Sequence, residues 1–162
     1  MRLRYLPNTP IHMMAAIDPG KHFCGASFWS VKKTTAELMW AKLVPTDQTI
    51  FMFCVSGIDN LHIVIEQPRN YRGSSATDSG VKALKDTIIR LNIEYPLCKK
   101  TYFYPDQWKG SVPKPIHNKR TLDALSIKEK TLFDTTDHNV IDAVGIGLFA
   151  LGRVNRGGVA NG

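Results

Sequence analysis

The sequence predicts an α/β fold, a mixed five-stranded sheet flanked by helices. Three observations predict it. Two short apolar runs, "HMMAAID" at 12–18 and "LHIVIEQP" at 61–68, have the density of strands buried on both faces. The stretches at 81–94 and 137–154 repeat their apolar residues at helical spacing. Strand-like and helix-like segments then alternate to the end of the chain, the pattern of a sheet with helices packed on it.

Residues 1–11 read as a loose lead-in, and 12–18 as the first strand. After a "DPGKH" turn, "FCGASFWS" at 23–30 reads as a second strand, rich in aromatic and small residues. "AELMWAKL" at 36–43 fits a strand or a short helix by spacing; its place after two tightly connected strands favours a three-strand meander. "TDQTIFMFCVSG" at 46–57 opens on cap-type residues and closes on Gly57, as a helix does. The strand at 61–68 is stopped by Pro68, and a polar loop covers 69–80. In the helix at 81–94, Val81, Leu84, Ile88 and Leu91 share a face. "KTYFYP" at 100–105 reads as the fifth strand. The two prolines of "DQWKGSVPKPIHNKR" at 106–120 read as a loop, and Trp108 as an anchor in the core. Residues 121–133 read as a helix, and so do 137–154, with Val140, Val144, Leu148 and Leu151 in register. The tail from 155 frays.

With 162 residues and 43% hydrophobic content, one domain is expected over 1–162, with its core at 12–154. No apolar run approaches a membrane span, and a secretion signal is not expected. Three widely spaced cysteines, Cys24, Cys54 and Cys98, point to a reducing, cytoplasmic setting rather than a disulfide framework. The formal charge of +7 favours a polyanionic partner. Eight Lys or Arg against three acids between Lys99 and Lys130 concentrate that excess as a phosphate-binding face needs.

The chemistry lies in the acids. Asp18 ends the first buried strand just before Pro19 and Gly20, and Glu66 ends the fourth in the same way. If these strands are parallel neighbours, both carboxylates lie at one sheet edge. Asp142 sits in "NVIDAVG", flanked by apolar residues, where a charge needs a partner or a metal. Three converging carboxylates repel unless a divalent cation neutralises them, and hard oxygen ligands select Mg²⁺, with Mn²⁺ as substitute. Asp137 fits an N-cap of the last helix. His138 and Asn139 can share the face of Asp142. His138 is then a metal ligand, a proton shuttle, a phosphate contact or simply a polar residue at a helix start.

These motifs resemble the RuvC family of Holliday-junction resolvases, in the RNase H-like superfamily. "IDPG" resembles its first motif, "IVIEQP" its second and "DHNVIDAVGIGL" its last, over residues 12–154. The small size and proline-rich loops resemble a phage or viral member. The resemblance implies an RNase H-like fold, a homodimer with the helix at 81–94 as its dimer element, and Mg²⁺-dependent hydrolysis of four-way DNA junctions. The expected products are 5′-phosphate and 3′-hydroxyl ends. Asp18, Glu66 and Asp142 match three of the family's four acidic positions. The fourth, usually Asp or His, is Asn139. Three readings follow: His138 takes over the role, Asn139 is a weaker ligand, or Asn139 disables the site and leaves a binder of branched DNA. The expected catalytic set is thus Asp18, Glu66, Asp142, His138 and Asn139, with Asn139 also among the metal ligands. The expected DNA contacts are Lys21, Arg69, Arg72, Lys109, Lys114, Lys119 and Arg120. Tyr71 either stacks on an unpaired base or packs back on the domain. A transposase or a broader RNase H-like nuclease shares the acids and the charge. An actin-like ATPase needs a second phosphate loop and a longer chain.

Overall fold

The computed structural model describes residues 13–33, 35–48, 60–68 and 78–154. Its elements are β1 (Met13–Asp18), β2 (Phe23–Val31), β3 (Ala36–Pro45), β4 (Leu61–Glu66), α1 (Asp78–Glu94), β5 (Lys99–Phe103), α2 (Pro105–Trp108), α3 (Lys114–Asp123), α4 (Ile127–Lys130) and α5 (His138–Ala150). The expected helix at 46–57 lies mostly outside the described residues, as do Arg69, Tyr71, Arg72 and Cys54.

One mixed sheet runs in the order β3-β2-β1-β4-β5. β1 to β3 form the antiparallel meander, so residues 36–43 resolve to a strand. β4 and β5 join parallel to β1. Each parallel pair demands a crossover, and α1 supplies the one between β4 and β5. β1 and β4 sit inside the sheet, which is why their sequences are apolar runs without alternation: Met14 to Ile17 and Leu61 to Ile65 are all buried.

Both faces are covered. On one, Met14, Ala16, Trp29 and Val64 pack with Val140, Val144, Ile146 and Leu148 of α5. On the other, Ala15, Ile17, Ile63 and Ile65 pack with Leu91 of α1 and Tyr95. Trp29 donates its indole N–H to Ser27, whose hydroxyl donates to the Ala143 carbonyl, both at 2.9 Å. Those bonds tie the meander to α5.

The segment 106–120 differs from its reading as a loop, because the prolines start helices instead of interrupting them. Pro105 opens α2, and Pro115 lies in the first turn of α3, where a missing N–H costs nothing. The expected helix at 121–133 is broken: α3 closes at Asp123, and Ser126 caps α4 by accepting from the Glu129 N–H. Trp108 is buried in the core as expected.

Candidate active site

The register places the first two acids. Ile17 pairs with Ile65 in the parallel β1–β4 ladder, so Asp18 and Glu66 follow side by side at the carboxyl ends of neighbouring strands. Alternation along the strands puts both on the α5 face, with Ala16 and Val64. Across the antiparallel ladder, Asp18 pairs with Gly25. A Cβ on Gly25 would stand 1.9 Å from the Asn139 carbonyl oxygen, so only glycine lets the start of α5 come this close. Asp137 caps that helix, accepting from the N–H groups of Asn139 and Val140 at 2.9 and 3.1 Å. One turn on, Asp142 is 4% exposed, on the helix that covers the face bearing Asp18 and Glu66.

The α2–α3 segment closes the cluster. Trp108 Nε1 donates to Glu66 Oε2 at 2.9 Å. Gly110, at φ 68°, turns the chain away after Lys109. Lys109 Nζ donates to Asp142 Oδ2 at 2.8 Å, lies 3.3 Å from Glu66 Oε2, and rests 4.7 Å from the centre of the Trp108 ring. Buried His117, from α3, brings Nε2 to 3.6 Å from Asp142 Oδ1 and stands edge-on to Trp108. Gly145 permits this packing: a Cβ there would meet Trp108, Thr121 and His117 at 2.7, 3.1 and 3.3 Å.

The charges do not balance, since one ammonium faces three carboxylates. Burial, then Glu66, then Asp142 push the Asp18 carboxyl well above its ordinary range, against the pull of Lys109 and Lys114. Burial also raises Glu66; Lys109 opposes the rise and Asp142 adds to it. Burial works against the charge on Lys109, yet Glu66, Asp142 and Asp18 together hold it more firmly protonated than a free lysine. Burial lowers His117, and Asp142 offsets part of that. Asp142 Oδ1 is buried without a hydrogen-bond donor.

An orphaned buried carboxylate oxygen beside two further carboxylates is the donor chemistry of a hard divalent cation. In the arrangement seen, no three His, Cys, Asp or Glu side chains among the described residues converge tightly enough to hold a metal. The cation against Glu66 and Asp142 is Lys109.

Asp18, Glu66, Asp142 and Lys109 therefore come together. Lys109, expected on a phosphate, is turned inward. Lys114 is exposed at the start of α3, and its charge reaches Asp18. Lys21 is exposed in the β1–β2 turn, and Arg120 is half-buried on α3. Lys119 is exposed and paired with Asp123 at 2.8 Å. His138 and Asn139 are exposed on the first turn of α5. Sequence reasoning missed His117 as the residue that reaches Asp142. The signal was "PKPIHNKRT" read as a helix opened by prolines, which places His117 in the first turn and Thr121 on the same face.

Neither a protein-family model nor a curated protein sequence matches the chain. Its structure does have neighbours. RuvC of T. thermophilus in complex with a Holliday junction substrate aligns at TM-score 0.59 and 15% identity, over 84% of this chain and 90% of that one. The fowlpox virus resolvase with substrate Holliday junction DNA aligns at 0.58 and 12%, over 85% and 97%. The yeast mitochondrial Holliday junction resolvase aligns at 0.54 and 12%, over 92% and 82%. The chain has the RNase H-like fold. The mixed five-stranded sheet with its flanking helices is the fold that the resemblance implied.

Proposed function

We propose that the chain is a metal-dependent endonuclease that resolves four-way DNA junctions by paired hydrolysis of phosphodiester bonds. One observation carries this reading: Asp18 and Glu66 end adjacent parallel strands beneath the helix that bears Asp142. The RNase H-like fold adds support, since solved structures that share it include two resolvases with junction DNA.

Asp18, Glu66 and Asp142 would hold Mg²⁺ or Mn²⁺, with Asn139 or His138 completing the set. When bound, such ions activate water and stabilise the leaving 3′ oxygen of a phosphodiester. The protein's own part is to fix the acids. Trp108 orients Glu66 through its N–H, and the Asp137 cap and Gly25 set the depth of α5. Lys21, Lys114, Lys119 and Arg120 would supply positive charge for the backbone of the arms, and Arg69 and Arg72 would add to it. A homodimer would present two such sites to symmetric strands. The exposed Ile89 and Ile93 of α1 support that helix as the dimer element.

The test is Mg²⁺-dependent cleavage of a synthetic junction beside flap, duplex and RNA substrates. Symmetric junction cuts that leave 5′-phosphates are expected. Equal cutting of flaps or RNA would move the protein to a broader nuclease. Junction binding with no cleavage, by this chain and by Asn139→Asp alike, would make it a non-cleaving binder.

A further inference from the structure

We propose that Lys109 is a built-in counter-cation: its ammonium holds Glu66 and Asp142 while no metal is bound, and a divalent ion must displace it to reach the same oxygens. This rests on the metal-dependent reading above.

The geometry makes the two cations exclusive. Lys109 Nζ is 2.8 Å from Asp142 Oδ2 and 3.3 Å from Glu66 Oε2. A magnesium ion binds carboxylate oxygens at about 2.0–2.1 Å, so an ion on this pair of oxygens would overlap the ammonium and repel it. The acids need a counter-charge when no metal is bound. Their side chains are only 14% and 6% exposed, and a third carboxylate stands beside them.

Lys109 is suited to leave. Its side chain keeps 24% exposure, so a route to solvent exists. An ammonium on a four-carbon stem swings more readily than a forked guanidinium pinned to both acids. The backbone need not move, because Trp108 is buried and Gly110 fixes the turn. Once released, the ammonium stands at the rim of the acids, where a DNA phosphate offers it a new partner. That reconciles its inward position here with the phosphate contact its sequence suggested.

The test is metal binding without DNA. Free Mn²⁺ is followed by electron paramagnetic resonance during titration of the full chain, with thermal unfolding alongside. Lys109→Met and Lys109→Gln should each bind Mn²⁺ at least about tenfold more tightly than the parent chain, a modest share of what a unit charge a few ångströms away is worth. Both should melt lower without metal and gain more from it. Lys109→Arg should bind no more tightly than the parent. Unchanged or weaker Mn²⁺ binding by folded Met and Gln variants, with the parent binding normally, overturns the displacement alone. If parent and both variants all ignore millimolar Mn²⁺, the metal-dependent reading fails with it. Should Lys109→Met not fold, the neutral, polar Gln variant decides.

Discussion

Among the described residues, carboxylates are buried in two places, and these are built oppositely. Glu129 of α4 meets Arg153 beyond α5. Arg153 Nη1 donates to Oε1 at 2.6 Å and Nη2 to Oε2 at 2.8 Å. The Leu38 N–H of β3 and the Ser126 N–H and hydroxyl fill the remaining positions at 3.2, 2.9 and 3.0 Å. Although burial raises it, the bonds from Arg153, Ser126 and Leu38 hold the Glu129 carboxyl down at about 2. Asp18 and Glu66 are instead pushed up. One site has donors to spare and joins three elements. The other is short of positive charge, leaves Asp142 Oδ1 without a donor, and is the one the proposed chemistry uses. Buried ion pairs are weak evidence of stability in themselves; the count of donors around each carboxylate separates a clasp from a reactive site.

The largest expected effect breaks the acid side. Asp18→Asn should lower junction cleavage by about 10³-fold or more, the scale on which positioned electrostatic groups act, with junction binding intact. The same change should raise the melting temperature without metal, because it removes a charge that burial and two neighbours disfavour. A cleaving Asp18→Asn variant, or one that melts lower, would undo the contrast.

Arg153→Met attacks the clasp. Leaving Glu129 buried and unpaired should cost about 3–5 kcal/mol by denaturant unfolding, while cleavage per folded molecule stays constant. A loss under 1 kcal/mol would mean that the clasp is idle.

Acid titration sharpens the comparison further. The folded value of Glu129 lies below its ordinary 4.5, so its stabilisation is complete above that value and is lost as pH falls toward about 2. Glu129→Gln should flatten this part of the stability–pH curve, read by urea midpoints from pH 5 to 2. An unflattened curve would place the acid sensitivity elsewhere.

The smallest effect is on the rim. Lys119→Ala and Lys114→Ala should each reduce the salt slope of junction affinity by about 1. Neither should shift stability measurably, since Lys114 and the Lys119–Asp123 pair are exposed. An unchanged slope would remove that residue from the DNA face.

What could be read from the sequence was whatever depends on near neighbours. β1 and β4 announced themselves because interior parallel strands need unbroken apolar runs, and their terminal acids stood out against them. The Asp137 cap and the α5 stripe follow from spacing of three and four residues. The α2–α3 region escaped because proline signals a helix start and a loop with equal force. Lys109 and His117 escaped for another reason. Their partners lie far along the chain, 33 residues away for Lys109 and Asp142, and the packing of Trp108, His117 and Thr121 against Gly145 brings them together.

Gly25 carries a consequence for engineering. It bears no functional group, yet it acts as the stop against which the last helix is seated. Alanine there would lift the His138 end of that helix outward and carry Asp142 away from the strand ends, with every polar side chain unaltered. The aperture between the acids, and with it the radius of the ion that the proposed chemistry would place there, can therefore be adjusted from a position without a functional group.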